Sequence, residues 1–194
     1  MYKEKIVFVL ASLNLMLPLS AQDTNESWRE LTVMDEYRCS PYVKDDYDHP
    51  QSVEPRIIAS MGGRIYGPYS GRTFGSRFET DIEHIVGKAE AHDSGLCGAD
   101  KATRKEFAKD LLNLTLAAPA CNRCNNIGGK CALDAAEWLP PRNQCWFVAR
   151  IIEVRLKYGL TIDEDEAEAI DSVLENCDST EMIFYEDAVP CPAN

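Results

Sequence analysis

The stretch "ETDIEHIVGKAEAHDSG" (residues 79–95) sets five acids and two of the chain's three histidines around a short apolar run. Thr80 to Val86, with Ile82, Ile85 and Val86 apolar, reads as a short strand. Glu83 and His84 are then neighbours on one strand, where consecutive side chains ordinarily point to opposite faces. Working outward, Gly87 to Asp100 reads as a loop, and "KATRKEFAKDLL" (101–112) carries Ala102, Phe107, Ala108, Leu111 and Leu112 on a helical stripe. In "NLTLAAPA" (113–120) Leu114 and Leu116 alternate with Asn113 and Thr115, a second strand, and Pro119 suits the first turn of a helix.

Farther downstream "NQCWFVARIIEVRLKYGL" (143–160) is an amphipathic helix ended by Gly159. Thr161 and Glu164 have capping-box spacing ahead of a last helix carrying Ala167, Ile170, Leu174 and Cys177. Upstream, Gly62, Gly63, Gly67, Pro68, Gly71 and Gly75 suit turns between short strands. From Gln22 to Glu54 the chain is polar and broken by Pro41 and Pro50, which predicts mostly loop with one short helix around Trp28 to Tyr37.

Residues 1–21 begin with Lys3 and Lys5, continue through an apolar run from Ile6 to Leu17 and end in small residues, the pattern of a secretory signal peptide. The run falls short of the roughly 20 apolar residues a spanning helix needs, so after cleavage no membrane association is expected. The eight cysteines, at 39, 97, 121, 124, 131, 145, 177 and 191, are even in number and in an exported chain read first as disulfides. The sequence expectation is therefore a secreted or periplasmic protein. A four-cysteine zinc knot built on Cys121, Cys124, Cys131 and Cys145 is the competing reading.

The net charge of −12 argues against a polyanionic partner only until its distribution is considered. Asp163 to Asp187 holds 11 acids and no Lys or Arg, whereas residues 101–130 hold six basic residues against two acids. Residues 56–78 carry Arg56, Arg64, Arg72 and Arg77 with no acid. The centre of the chain is basic and the acid lies at its ends.

The ordered motifs "DIEHIV" (81–86), "DLLNLTLAAPACNR" (110–123) and "DAAEWLPP" (134–141), followed by an aromatic-rich helix from Cys145, resemble the His-Asn-His (HNH) superfamily of ββα-metal nucleases. The likeness is to the exported branch whose first motif is an acid followed by His-Ile-Val, and it covers roughly residues 60–160. It implies an α+β fold: a small ββα-metal core with additional helices, braced here by disulfides. The implied organisation is a signal peptide (1–21), an N-terminal polar segment (22–60), an HNH-like core (61–160) and an acidic C-terminal helix and tail (161–194).

Hydrolysis of a phosphodiester needs a deprotonated water in line with the leaving oxygen and a cation beside the phosphate. By resemblance His84 is the general base, and Glu83 and Asn122 bind the metal, Mg²⁺ or Mn²⁺, with Asp81 as the alternative acid. Asn113 matches the family's middle Asn, which holds the loop behind the histidine, and Arg123 is the cation placed for a phosphate. The implied substrate is DNA, with RNA as the alternative, cut with little sequence specificity.

Three features qualify the match. The inserted "CNNIGGKC" (124–131) leaves Lys130 in place of the family's Lys only by position, and makes Asn125 and Asn126 alternates to Asn122. His49 and His92 read as structural or solvent-facing. "NES" at 25 and "NLT" at 113 match the glycosylation sequon, and the second, which falls on the proposed site strand, is read as chance. The rival functions are a cysteine-rich secreted binding module that has lost the chemistry and a structural zinc protein. A cognate inhibitor is a further class of partner for which the chain shows no site.

Overall fold

The computed structural model describes residues 27–124 and 128–191. The expected signal peptide, the sequon at Asn25 and the alternates Asn125 and Asn126 lie outside the described residues. The strands are β1 (Ser27–Trp28), β2 (Leu31–Thr32), β3 (Tyr66–Gly67), β4 (Arg72–Thr73), β5 (Asp81–His84) and β6 (Leu114–Ala117), paired as three two-stranded sheets. The helices are α1 (Glu54–Ser60), α2 (Lys88–Asp93), α3 (Lys101–Lys109), α4 (Pro119–Asn122), α5 (Gln144–Tyr158) and α6 (Glu164–Leu174). This is an α+β fold with four disulfides.

The centre of the fold is the antiparallel pair β5–β6, in register Asp81↔Ala117, Ile82↔Leu116, Glu83↔Thr115 and His84↔Leu114. Directly opposed residues share a face, so Ile82, His84, Leu114 and Leu116 lie on one side and Asp81, Glu83, Thr115 and Ala117 on the other. Leu114 and Leu116 pack with Val53, Ile57, Met61 and Tyr66 into a small core under α1. The larger core gathers Ala117 with Tyr69, Phe107, Trp138, Phe147, Ile151 and Val154, and α5 supplies its long wall. Pro119 opens α4 in the first turn, so the strand–strand–helix order runs directly from β6 into the short helix.

A buried charge cluster sits inside this core. Arg155, 1% exposed, lies between Glu90 and Glu166 and reaches the Thr161 carbonyl. A buried charge survives only when paired, and this cluster ties α2, α5 and α6 together.

The C-terminal acidic segment is fastened to the body. Cys191 is bonded to Cys121, Val189 donates to the Ser70 carbonyl, and Asn143 brackets Ile183 through both its backbone N–H and carbonyl. Gly71 (φ +72°) turns the β3–β4 hairpin beneath it, and a Cβ there would meet Tyr185 at 3.1 Å and the Asp187 carbonyl at 3.2 Å.

Several expectations need correction. The helix expected around Trp28 to Tyr37 is instead the β1–β2 hairpin, turned by Arg29 and Glu30 at positive φ (48° and 71°). A short helix, α2, forms within the expected loop Gly87 to Asp100, and α1 forms just after the polar segment ends, where no element was expected. The last helix is capped by Asp163, whose carboxylate accepts from the Glu166 N–H, while the Thr161 hydroxyl donates to the Ser94 carbonyl. That helix ends at Leu174, before Cys177. The zinc knot is not formed: its four cysteines divide among the pairs Cys121–Cys191, Cys124–Cys131 and Cys145–Cys177, and with Cys39–Cys97 no cysteine is free.

Candidate active site

His84 ends β5 on the side facing α3. Its Nε2 lies 2.9 Å from the Ala108 carbonyl, its ring is 6.4 Å from and nearly parallel to Phe107, and the His49 ring crosses it edge-on at 5.1 Å. A carbonyl only accepts, so Nε2 carries the hydrogen and Nδ1 keeps the lone pair in the neutral ring. Burial, reinforced by the Lys88 ammonium, drives the His84 pKa down to about 3. The imidazole is therefore neutral throughout the physiological range, the form a general base requires.

Asn113 fixes the turn that follows. Wholly buried, it accepts from the Val86 N–H (2.8 Å) and donates to the Val86 carbonyl (3.1 Å), while its own carbonyl receives the Ile85 N–H (2.9 Å). The chain leaving His84 is thus gripped at two successive residues. This burial leaves no room for a glycan at the second sequon.

Glu83 occupies the opposite face, 4% exposed. Its Oε1 has no hydrogen bond and faces the Lys130 ammonium 3.4 Å away in an ion pair. Burial raises its pKa to about 7, against the lowering effect of Lys130. Lys130 is itself fully buried and donates to the His84 backbone carbonyl at 3.2 Å, so one ammonium spans the Glu83–His84 pair. Several contacts place it. The Cys124–Cys131 bridge closes its loop, the Trp138 indole N–H donates to the Gly128 carbonyl, and a Cβ on Gly129 would collide with the Arg123 carbonyl. The "DAAEWLPP" motif thereby has a structural role, in which Asp134 caps its own turn through Ala136 and Glu137 and Trp138 anchors the Lys130 loop.

Asp81, on the Glu83 face, engages both ends of the "NR" dipeptide. It accepts from Arg123 Nε and Nη2 at 2.8 Å each and from Asn122 Nδ2 at 3.3 Å. Asn122 thus turns its amide nitrogen toward Asp81, leaving Oδ1 as the atom able to meet a cation. Arg123, expected to stand free for phosphate, is instead held by Asp81 with more than half its side chain exposed.

The structure therefore brings Asp81, Glu83, Asn122, Arg123 and Lys130 to one face of the hairpin and sends His84 to the other. β5 is regularly paired and has no bulge, so Glu83 and His84 diverge as ordinary strand neighbours. Two residues were undervalued in the sequence. Lys130 proves central, and His49, 35 positions upstream, packs on the His84 ring with no linear motif to announce it. His92 is structural, as expected, but wholly buried rather than solvent-facing, with Tyr47 Oη on Nδ1 and the Ser40 carbonyl on Nε2.

Comparison with known proteins agrees with this strand–strand–helix unit. The model of the family "GmrSD restriction endonucleases, C-terminal domain" matches residues 42–172. The chain belongs to this HNH-type nuclease family. It is also 31% identical, over 121 residues, to an "Uncharacterized secreted protein" of Arthroderma benhamiae, a match covering 61% of this chain and 58% of that protein. No solved structure matches. The matched span contains Glu83, His84, Asn113 and Asn122.

The residues present suit a hard divalent cation. The buried Glu83 carboxylate, whose Oε1 is ion-paired with Lys130 but makes no hydrogen bond, and the amide oxygen of Asn122 are oxygen donors of the kind Mg²⁺ or Mn²⁺ takes. Among the described residues, no helix is long and apolar enough to cross a membrane.

Proposed function

We propose that this protein is an exported, metal-dependent endonuclease that hydrolyses phosphodiester bonds of DNA, with RNA as the alternative substrate, and with little sequence selectivity. The observation that carries the reading is His84: a neutral imidazole whose Nε2–H is held by a backbone carbonyl, followed by a turn clamped by Asn113. In this role Nδ1 accepts the proton of the attacking water, and the Ala108 carbonyl stabilises the imidazolium that forms. Asn113 keeps the ring from drifting by fixing Val86 from behind.

Glu83 and Asn122, on the hairpin face opposite His84, would hold the cation to one side of the base, where it would supply charge to offset the phosphate oxygens as the pentavalent arrangement builds. Asp81 orients the Asn122 amide and restrains Arg123, whose remaining N–H groups face solvent beside the strand. Lys130 is a resident positive charge under the same carboxylate. Export is supported by the four disulfides and by the secreted relative.

A second reading, a disulfide-rich secreted module without activity, draws on the same Glu83–Lys130 pair, since an ammonium already neutralises the carboxylate. Incubating the purified protein with supercoiled plasmid separates the two. The nuclease reading expects nicked and linear product with Mg²⁺ or Mn²⁺ and none with excess chelator; intact plasmid under all conditions favours the inactive module.

A further inference from the structure

Phe78 is 86% exposed, the most exposed of the large apolar side chains in the described structure. A single exposed aromatic is unremarkable by itself, but this one is rigidly presented. It sits in a one-turn 3₁₀ segment (Arg77–Glu79) in which Ser76 Oγ accepts from the Phe78 N–H, the Thr80 hydroxyl donates to the Arg77 carbonyl, and the Glu79 N–H returns to Ser76. The turn spends its hydrogen bonds on holding an apolar ring in water.

Its surroundings are cationic and aromatic. The Arg77 guanidinium lies 5.0 Å from the Phe78 ring centre, and Arg72 lies 4.7 Å from that of Phe74. Arg72 contacts Glu79 at 3.5 Å, Arg77 contacts Glu54 at 3.0 Å, and Arg123 holds Asp81. Arg72–Glu79 is a surface pair of small worth, Glu54 and Asp81 are largely covered, and all three guanidiniums are themselves about half exposed and keep N–H donors for a phosphate. Phe78 is three residues ahead of Asp81, at most about 11 Å along the chain, so whatever stacks there lies one or two nucleotides from the Glu83–His84 strand.

We propose that Phe78, with Arg77 against its ring, Arg72 paired to the adjacent Glu79 and Arg123 paired to Asp81 three residues on, is a stacking platform for an unpaired base, and that the strand entering the site is single-stranded nucleic acid. The inference rests on the nuclease reading for the strand's destination, not for its binding. Inside a duplex the base faces are covered by their neighbours, so a lone projecting ring meets a base face only where the strand is unpaired. There an aromatic ring and guanidinium groups supply sequence-tolerant stacking and backbone contacts.

Binding is measured in excess chelator, so that no cleavage intervenes, by fluorescence anisotropy of a labelled single-stranded oligothymidylate and of a blunt-ended DNA duplex. Phe78→Ala is expected to weaken single-strand binding by roughly fivefold or more, the low end of what one stacked base contributes, and to leave duplex binding and the melting temperature unchanged. Phe78→Trp retains the affinity, and its indole emission is quenched by the oligonucleotide.

Equal single-strand affinity of wild type and Phe78→Ala overturns the proposal. So does an equal loss on single strand and duplex, or wild-type protein that does not bind the single strand. The plasmid assay is independent: a protein that nicks plasmid but is indifferent to Phe78 removes the platform alone, and one that binds through Phe78 but never cleaves removes the hydrolytic reading alone.

Discussion

Replacing Asn113 by alanine tests whether the clamp behind His84 does what its geometry implies. The wild-type side chain satisfies the buried Val86 N–H at 2.8 Å and the buried Val86 carbonyl at 3.1 Å. Alanine leaves both without a partner in a site closed to solvent, and a buried polar group so orphaned costs ~1–3 kcal/mol. Two such groups give a loss on the order of 2–6 kcal/mol. For a chain of this size that corresponds to a fall in melting temperature of roughly 4–24 °C. The mutation also frees the Ile85–Val86 turn, so His84 loses its register and cleavage falls more than the folded fraction does. Asn113→Asp restores the acceptor for Val86 N–H but sets a carboxylate against the Val86 carbonyl, and should rescue neither property. Urea melts followed by circular dichroism, with plasmid nicking measured well below the midpoint, separate stability from activity. Asn113→Ala protein with an unchanged midpoint and wild-type nicking would refute the clamp.

Two further outcomes follow from the same geometry. In metal-free protein burial holds the Glu83 proton up to about pH 7, so a cation that needs this carboxylate must displace the proton below that pH. The half-saturating Mg²⁺ concentration should climb toward tenfold per pH unit as pH falls below about 7 and flatten above it; a Mg²⁺ requirement that is level from pH 5 to 8 contradicts Glu83 as a ligand. The Cys121–Cys191 bridge spans 70 residues and anchors both α4 and the C-terminal segment. The double serine variant should lose ~4 kcal/mol by the chain-entropy estimate and cleave less because Cys121 adjoins Asn122, and unchanged thermal melting would count against that brace.

Much of this arrangement was written in local pattern. The β5–β6 pair follows from apolar alternation on both sides of Ile82 and Leu114, and α5 from an apolar stripe that stops at Gly159, the left-handed C-cap. Where the sequence misled, non-local contacts override weak local signals. Arg29 and Glu30 turn a hairpin with none of the Asn-Gly chemistry that announces one, and α1 is a helix of one core stripe, Val53, Ile57 and Met61, too short to show periodicity. In the site, Glu83, His84, Asn113 and Asn122 were legible because their order is a motif. His49 was not, and Lys130 was only by position, because each reaches the site through tertiary packing: His49 across a proline-broken segment, Lys130 through a loop set by a disulfide and by Trp138. The partnership of Asp81 with Arg123 was hidden for the same reason, since the two lie on different elements that meet only when the hairpin closes.

The central claim is that a base and a metal site at one hairpin act together on a phosphodiester, and the two should fail differently. The decisive measurement is plasmid cleavage by His84→Ala and Asn122→Ala across a titration of Mg²⁺ and Mn²⁺, with circular dichroism confirming that both variants are folded. His84→Ala should lose roughly 10²–10⁴-fold at every metal concentration, the usual worth of a positioned base, whereas Asn122→Ala should recover part of its loss at high metal. Folded His84→Ala protein that cleaves like wild type would contradict the account.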